Sequence, residues 1–342
     1  MAEIWHASMQ GVPWTVEKMS AAVKQLRNRA TISFVIGVDR TEDLVELDKR
    51  VFAKRPDLIL YIWNRDAKTP CPEELLKTIA AMQYVAALKL DLQQPHDLTM
   101  LSAMKQMQFL NVVSPKKAQS LAFIHHYKQL TYLELHGKFD DLAPIAACKQ
   151  LNTLVLNCTI EQLDFIVDLP LLQYLSIDSC DVKGPLEVIA HSSVTMLSLS
   201  SIRNLRDIQA VGEMYNLEFL SLVLTKVEQL CNFSKLDKLR QLELSSMKTL
   251  RDVDNLWSAK RLEYLELKEL NTAIKAAAFA PLAKMPHLRQ VDFRFIDFNK
   301  GRIAAMKAQL EQAGKGHLIY ENISENQLIR SIALEHLAPI LT

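Results

Sequence analysis

Residues 217–246 read LEFLSLVLTKVEQLCNFSKLDKLRQLELSS. The stretch opens and closes on the same six-residue figure, apolar–x–x–apolar–x–apolar: LEFLSL from Leu217 and LRQLEL from Leu239. Working outward, the figure recurs at Val85, Met107, Leu130, Leu151, Leu172 and Val194, and again at Leu262 and Leu288. Successive spacings run from 21 to 26 residues, which is self-similarity at a fixed period and the mark of a repeat array. Between the figures lie apolar trios at three-residue spacing. Examples are Ile160, Leu163 and Ile166; Val227, Leu230 and Phe233; and Leu250, Val253 and Leu256. A three-residue period suits a 3₁₀ return, in which side chains eclipse at i and i+3. Each unit then reads as one short strand and one compact return, and stacking buries the apolar rows in a continuous core.

Residues 85–297 on this reading resemble the leucine-rich-repeat family, whose pattern is L-x-x-L-x-L-x-x-N/C-x-L. The unit length is similar to the internalin type. The resemblance implies a solenoid with a curved parallel sheet, and a protein-binding rather than catalytic role. One feature departs from the family. Eight residues after each start, where Asn usually ties down the turn, stand Gln93, Pro115, Lys138, Thr159, Cys180, Ile202, Thr225, Met247, Leu270 and Ile296. An irregular solenoid without the Asn ladder is expected.

The fold class is therefore α/β: a leucine-rich-repeat solenoid with an α/β N-terminal cap and a helical C-terminal cap. Residues 1–84 carry longer βα units. Strand-like runs at Ile4–Ser8, Ile32–Val38 and Leu58–Trp63 are followed by helix-like Val16–Asn28, Glu42–Lys54 and Pro72–Met82. They read as degenerate repeats on the same sheet, with a separate domain as the alternative. After Phe293 the period stops, and residues 298–342 read as the C-terminal cap. Asn299 is placed to start a helix ending near Gln312, with Gly314 beyond it. A last strand is expected over His317–Asn322. An amphipathic helix over Glu325–Leu341 either caps the array or serves a partner.

Chemistry is thinly represented. There is no H-E-x-x-H, G-x-S-x-G or G-x-G-x-x-G, and Gly314-Lys315-Gly316 lacks a P-loop frame. No His pairs with Cys at zinc spacing, so no metal, cofactor or catalytic residue is expected. His125–His126 reads as a surface pair in a return segment. Five Cys with no C-x-x-C argue against a disulfide framework. With no secretory signal pattern and no apolar run of membrane-spanning length, a cytoplasmic protein is expected.

What remains is the sheet's concave face. Strand alternation turns the third, fifth and seventh residues of each figure onto it. The third-position column runs Ala87, Phe109, Tyr132, Thr153, Tyr174, Met196, Phe219, Gln241, Tyr264, Gln290. Only 7% of the chain is aromatic, so this column is enriched in rings. Exposed rings give a binding surface rigid contact area, or they stack along the ladder. The fifth and seventh columns contribute Asp91, Glu134, Asp178, Glu243, Glu266 and Asp292 against Lys89, Lys268 and Arg294. The face is acidic while the chain as a whole carries +1. That disfavours nucleic acid and favours a protein with a basic patch. The candidate partner-binding set is Phe109, Tyr132, Glu134, Tyr174, Asp178, Phe219, Glu243, Tyr264, Glu266 and Asp292. A protein-binding scaffold follows, an inhibitor or immunity protein in its sharper form, with an adaptor subunit as the alternative.

Overall fold

A computed structural model describes residues 6–66, 71–298 and 300–342. Two compact units partition the chain. The first comprises Met1–Thr159, Asp164–Leu172 and Leu337–Thr342; the second comprises Ile160–Leu163 and Gln173–His336.

In the first unit, long repeats come before short ones. The strands are β1 (His6–Gln10), β2 (Leu26–Ile36), β3 (Ile59–Asn64), β4 (Ala87–Asp91), β5 (Phe109–Gln119), β6 (Tyr132–Phe139) and β7 (Thr153–Cys158). They lie side by side in chain order, all parallel. The register aligns Leu60, Leu88, Leu110, Leu133 and Leu154 in one row, and each is fully buried. From Leu60 to Leu88 is 28 residues, which leaves room for α-helical crossovers. These are α1 (Val16–Gln25), α2 (Thr41–Leu47) and α3 (Glu73–Ala80). Thr15 caps α1 through its side chain, accepting from the Lys18 N–H at 3.2 Å. Asp48, in a π-helical turn after α2, accepts from the Gln83 and Tyr84 amides and pins the end of α3 to it. From Leu88 to Leu110 the repeat shrinks to 22 residues, and the returns become 3₁₀ turns at Thr99–Ala103, Ala122–His126 and Ala143–Ala147. The 3₁₀ helix climbs about 2.0 Å per residue against 1.5 Å for an α-helix, so it crosses the same distance with fewer residues. Strands of residues 6–64 pair in order with one another and with β4. Strand β1 is described from His6, and Ile4 lies outside the described residues.

The second unit holds β8 (Tyr174–Asp178), β9 (Met196–Ser200), β10 (Phe219–Val223), β11 (Gln241–Ser245), β12 (Tyr264–Lys268) and β13 (Gln290–Phe295), again parallel and in order. Leu175, Leu197, Leu220, Leu242, Leu265 and Val291 form its inward row, all fully buried. The Asn ladder is absent, as the sequence shows, and another turn device stands in its place. Directly after β8, β9, β11 and β12, residues Ser179, Ser201, Ser246 and Glu269 adopt φ between 47° and 53°. That left-handed step reverses the chain, and each of their amides donates to a carbonyl at the end of the next strand. In the ladder positions themselves, Cys180, Ile202, Met247, Leu270 and Ile296 are buried apolar groups.

The C-terminal region departs from expectation in two places. Helix α4 (Lys300–Gln312) forms, with Gly314 at φ 70° beyond its end. Asn299, the expected cap, lies outside the described residues. Arg302, Met306 and Leu310 face inward at four-residue spacing, and α4 packs on the 3₁₀ segment Ala276–Lys284. The expected strand over 317–322 is instead a pair of 3₁₀ turns, joined to the sheet by a single bridge from Ile319 to Val291. The expected long helix over 325–341 is also shorter. A 3₁₀ turn at Glu325–Gln327 gives way to extended chain, and α5 spans Ile332–Leu341. Helix α4 therefore packs beside the last return segment, and the chain beyond Gln327 runs extended before α5 begins.

Candidate functional site: the concave face

The pairing register brings the third-position column together as expected. Ala87, Phe109, Tyr132 and Thr153 are Cα partners in the first unit. In the second, Tyr174, Met196, Phe219, Gln241, Tyr264 and Gln290 are. Their expected exposure is corrected. Phe109, Tyr132, Tyr174 and Phe219 retain only 4%, 3%, 9% and 3% of their surface, and Tyr264 is half-buried. Two causes are visible: Phe109 and Tyr132 pack on each other along the ladder, and tail residues lie on that pair and on Tyr174.

In the first unit, Phe109 and Tyr132 stack face to face at 4.3 Å, flanked by Ile59 and Ala87. Val155 and the tail residue Ile340 pack against this cluster. Beside it, Glu134 gathers hydrogen bonds from Asn111 Nδ2 (2.6 Å), the Tyr132 hydroxyl (2.8 Å) and His136 Nε2 (2.6 Å). With Nε2 on Glu134, His136 Nδ1 accepts from the Asn157 amide at 2.9 Å. Burial pushes the Glu134 carboxyl up, but the bonds from His136, Tyr132 and Asn111 outweigh it, and the carboxyl sits below its ordinary value. A depressed carboxyl stabilises the fold above its unfolded pKa, and that contribution is lost as pH falls through the folded value. Glu134→Gln should therefore lower the melting temperature at pH 7, and its gap to wild type should narrow below about pH 4.5. Thermal melts between pH 7 and pH 3.5 check this, and a gap independent of pH would show that the carboxylate's charge contributes nothing.

In the second unit the tail is held by two glutamines of the third-position column. Gln241 Nε2 donates to the Arg330 carbonyl at 2.7 Å, and its Oε1 accepts the Ile332 N–H at 2.9 Å. Gln290 Oε1 accepts the Ile329 N–H at 2.9 Å. The His336 ring, in the first turns of α5, stacks on Tyr174 at 5.9 Å, and burial lowers its pKa. Neither glutamine was singled out in the sequence. The legible signal was two carboxamides interrupting a column of rings.

The acids of this face are largely engaged within the chain. Glu266 accepts from the Tyr264 hydroxyl (3.0 Å) and pairs with Lys268 (2.7 Å). Asp292 is buried and takes a two-pronged contact from Arg294, whose guanidinium also lies 3.7 Å from the Tyr320 ring centroid. Glu243 differs: burial first, then the neighbouring Glu266, raise its pKa, with Ser221 and Lys268 opposing. Asp178 sits half-buried at the end of β8. A cleft of about 720 Å³ opens beside the tail, where Glu263 joins Arg240 and Arg289 and offsets their charge.

The thiols are inert groups of the core. All five cysteines are buried and none forms a disulfide, and burial pushes Cys148, Cys180 and Cys231 up to about 12. Among the described residues no group of three or more His, Cys, Asp or Glu could hold a metal ion, and no helix is long and apolar enough to cross a membrane.

One strand and one short return per unit, stacked in register on a leucine row, define a leucine-rich-repeat fold. No family model matches the chain, and no curated protein matches it. Among solved structures it is similar to a leucine-rich-repeat protein of Leptospira interrogans, at 15% identity over 97% of this chain and 91% of that one, with a TM-score of 0.44. It is also similar to an internalin of Listeria monocytogenes, at 15% identity over 70% of this chain and 82% of that one, with a TM-score of 0.41. A second Listeria internalin is 19% identical over 65% of this chain and 83% of its own, with a TM-score of 0.38. Each is a likeness of fold.

Proposed function

We propose that the chain is a non-enzymatic scaffold that binds a protein partner on its concave face. The observation that carries this reading is the pair of glutamines, Gln241 and Gln290, which hold polypeptide main chain against the sheet. A surface that satisfies backbone N–H and C=O groups beside buried rings is suited to a protein ligand. The acid–base pairing of Glu134 with His136 is consumed by Asn111, Tyr132 and Asn157, which fits a structural rather than catalytic network. In its sharper form the scaffold is an inhibitor or immunity protein covering a basic enzyme or toxin. Glu243, beside Glu266 and pushed toward its protonated form, gains from an approaching cation. Five cysteines without a disulfide fit the cytoplasm as its compartment.

The partner is to be captured on the immobilised full chain, identified, purified, and titrated against variants. Tyr264→Ala should weaken binding about thirtyfold, the cost of losing an anchor of about 2 kcal/mol. Glu243→Lys should mainly slow association with a basic partner and invert its salt dependence. Unchanged affinity in both, with unchanged melting temperatures, would place the ligand off this face.

A further inference from the structure

In the second unit, residues 329–336 are positioned like a bound peptide. The segment is extended where the glutamines grip it: Leu328 has φ −60° and ψ 134°, and α5 begins only at Ile332. Gln241 binds the carbonyl of Arg330 and the amide of Ile332, one acceptor and one donor on either side of Ser331. Gln290 takes the amide of Ile329. These are contacts to main-chain atoms, so they set the direction and register of the segment and leave its side chains to vary. The helix that follows lays His336 flat on Tyr174 and buries Ala333. At the array's end it is α4, with Arg302, Met306 and Leu310 facing inward, that packs on the last return segment Ala276–Lys284, while residues 329–332 lie against Gln241 and Gln290.

We infer that residues 329–336 are an internal occupant of the ligand groove, and that the partner's contacting element has the same chemistry. That element is an extended segment of at least four residues with unpaired backbone groups, running directly into a short helix that presents small apolar residues and one ring to Tyr174. The inference rests on the scaffold reading above and specifies what the face recognises. The tethered tail competes at an effective concentration of about millimolar order, so the partner binds by displacing it.

The test uses the full chain carrying Ile329→Pro and Ile332→Pro. Proline removes the two amide donors that Gln290 and Gln241 accept. Position 332 is the first residue of α5, where proline is tolerated, so the helix itself is spared. The probe is a fluorescent peptide of residues 326–342 with the natural sequence. The double variant should bind it at least tenfold more tightly than the wild type, whose groove is filled. Hydrogen exchange showing a released tail in the variant, with no gain in peptide binding, would overturn the inference and leave the scaffold reading standing. Peptide binding combined with partner affinity indifferent to Tyr264→Ala would instead overturn the scaffold reading and keep the groove. Should the double variant fail to fold, hydrogen exchange on the wild type decides. The Ile329 and Ile332 amides should open at lower free energy than those of β10 and β11, and exchange only through global unfolding would refute a displaceable tail.

Discussion

Leu220→Asp is expected to abolish soluble, cooperative folding. Leu220 lies in the middle of β10, fully buried, with Leu197 and Leu242 as its partners on the neighbouring strands. Loss of the leucine side chain alone costs about 2–5 kcal/mol. The carboxylate adds the larger penalty, because no donor of the leucine row can pair with it, and even the protonated acid leaves polar oxygens unsatisfied at about 1–3 kcal/mol each. Together these reach the whole stability of an ordinary domain, about 5–15 kcal/mol. The control is Ser198→Asp, on the adjacent strand and the opposite face, where Ser176 and Ser221 are the paired neighbours. A strand shifted by one residue exchanges its faces, so the two substitutions should differ sharply. Circular dichroism and calorimetry of the two purified proteins provide the measurement. Equal melting temperatures would refute the register of the leucine row.

That register was legible because it is written redundantly. Ten copies of one figure vote on the same alternation, and every strand from β4 onward starts at the third position of its figure. The trios Ile160, Leu163, Ile166 and Leu250, Val253, Leu256 likewise disclosed 3₁₀ returns, since side chains that eclipse must repeat at that interval, whereas Val227, Leu230 and Phe233 mark a connection between β10 and β11 built of turns without a 3₁₀ helix. What local pattern could not disclose was contact between distant segments. The tail between Leu328 and Leu341 looked like an amphipathic helix because Leu328, Ile329, Ile332, Leu337 and Ile340 are apolar. Its first part is instead extended, because Gln241 and Gln290, 89 and 39 residues away in the chain, offer better partners for its backbone than a further helical turn would. The same blindness affected Tyr174. Alternation put its ring on the sheet face opposite the leucine row, but alternation says nothing about what then covers that face. The charge count weighed six acids against Lys89, Lys268 and Arg294, but a count does not show pairing: Lys268 and Arg294 stand two residues from Glu266 and Asp292 on the same strands and face, and contact them directly.

Asp297→Ala should be the most damaging substitution outside the leucine row, and it tests which element closes the array. Asp297 and Arg302 form an ion pair of 2.9 Å with only 5% of either side chain exposed. The guanidinium also donates to the Asn271 carbonyl and lies 5.4 Å from the Phe279 ring centroid. Removing a buried carboxylate leaves its cation desolvated and uncompensated, which costs about 3–5 kcal/mol. Arg302 is the first inward residue of α4, so the cost falls on the docking of that helix on the 3₁₀ segment Ala276–Lys284. Asp297→Ala is therefore expected to loosen α4, to raise hydrogen exchange along it, and to promote association through the uncovered apolar row. Adding Arg302→Met removes the orphaned charge and should restore most of the loss, since an apolar residue of similar length can replace a buried ion pair at little cost. A double-mutant cycle in denaturant measures both steps. If Asp297→Ala costs less than about 1 kcal/mol, the pair is not what seats α4. If α4 instead stays protected while residues 329–336 become mobile, the pair seats the tail rather than α4, and the reading of α4 as the cap is overturned.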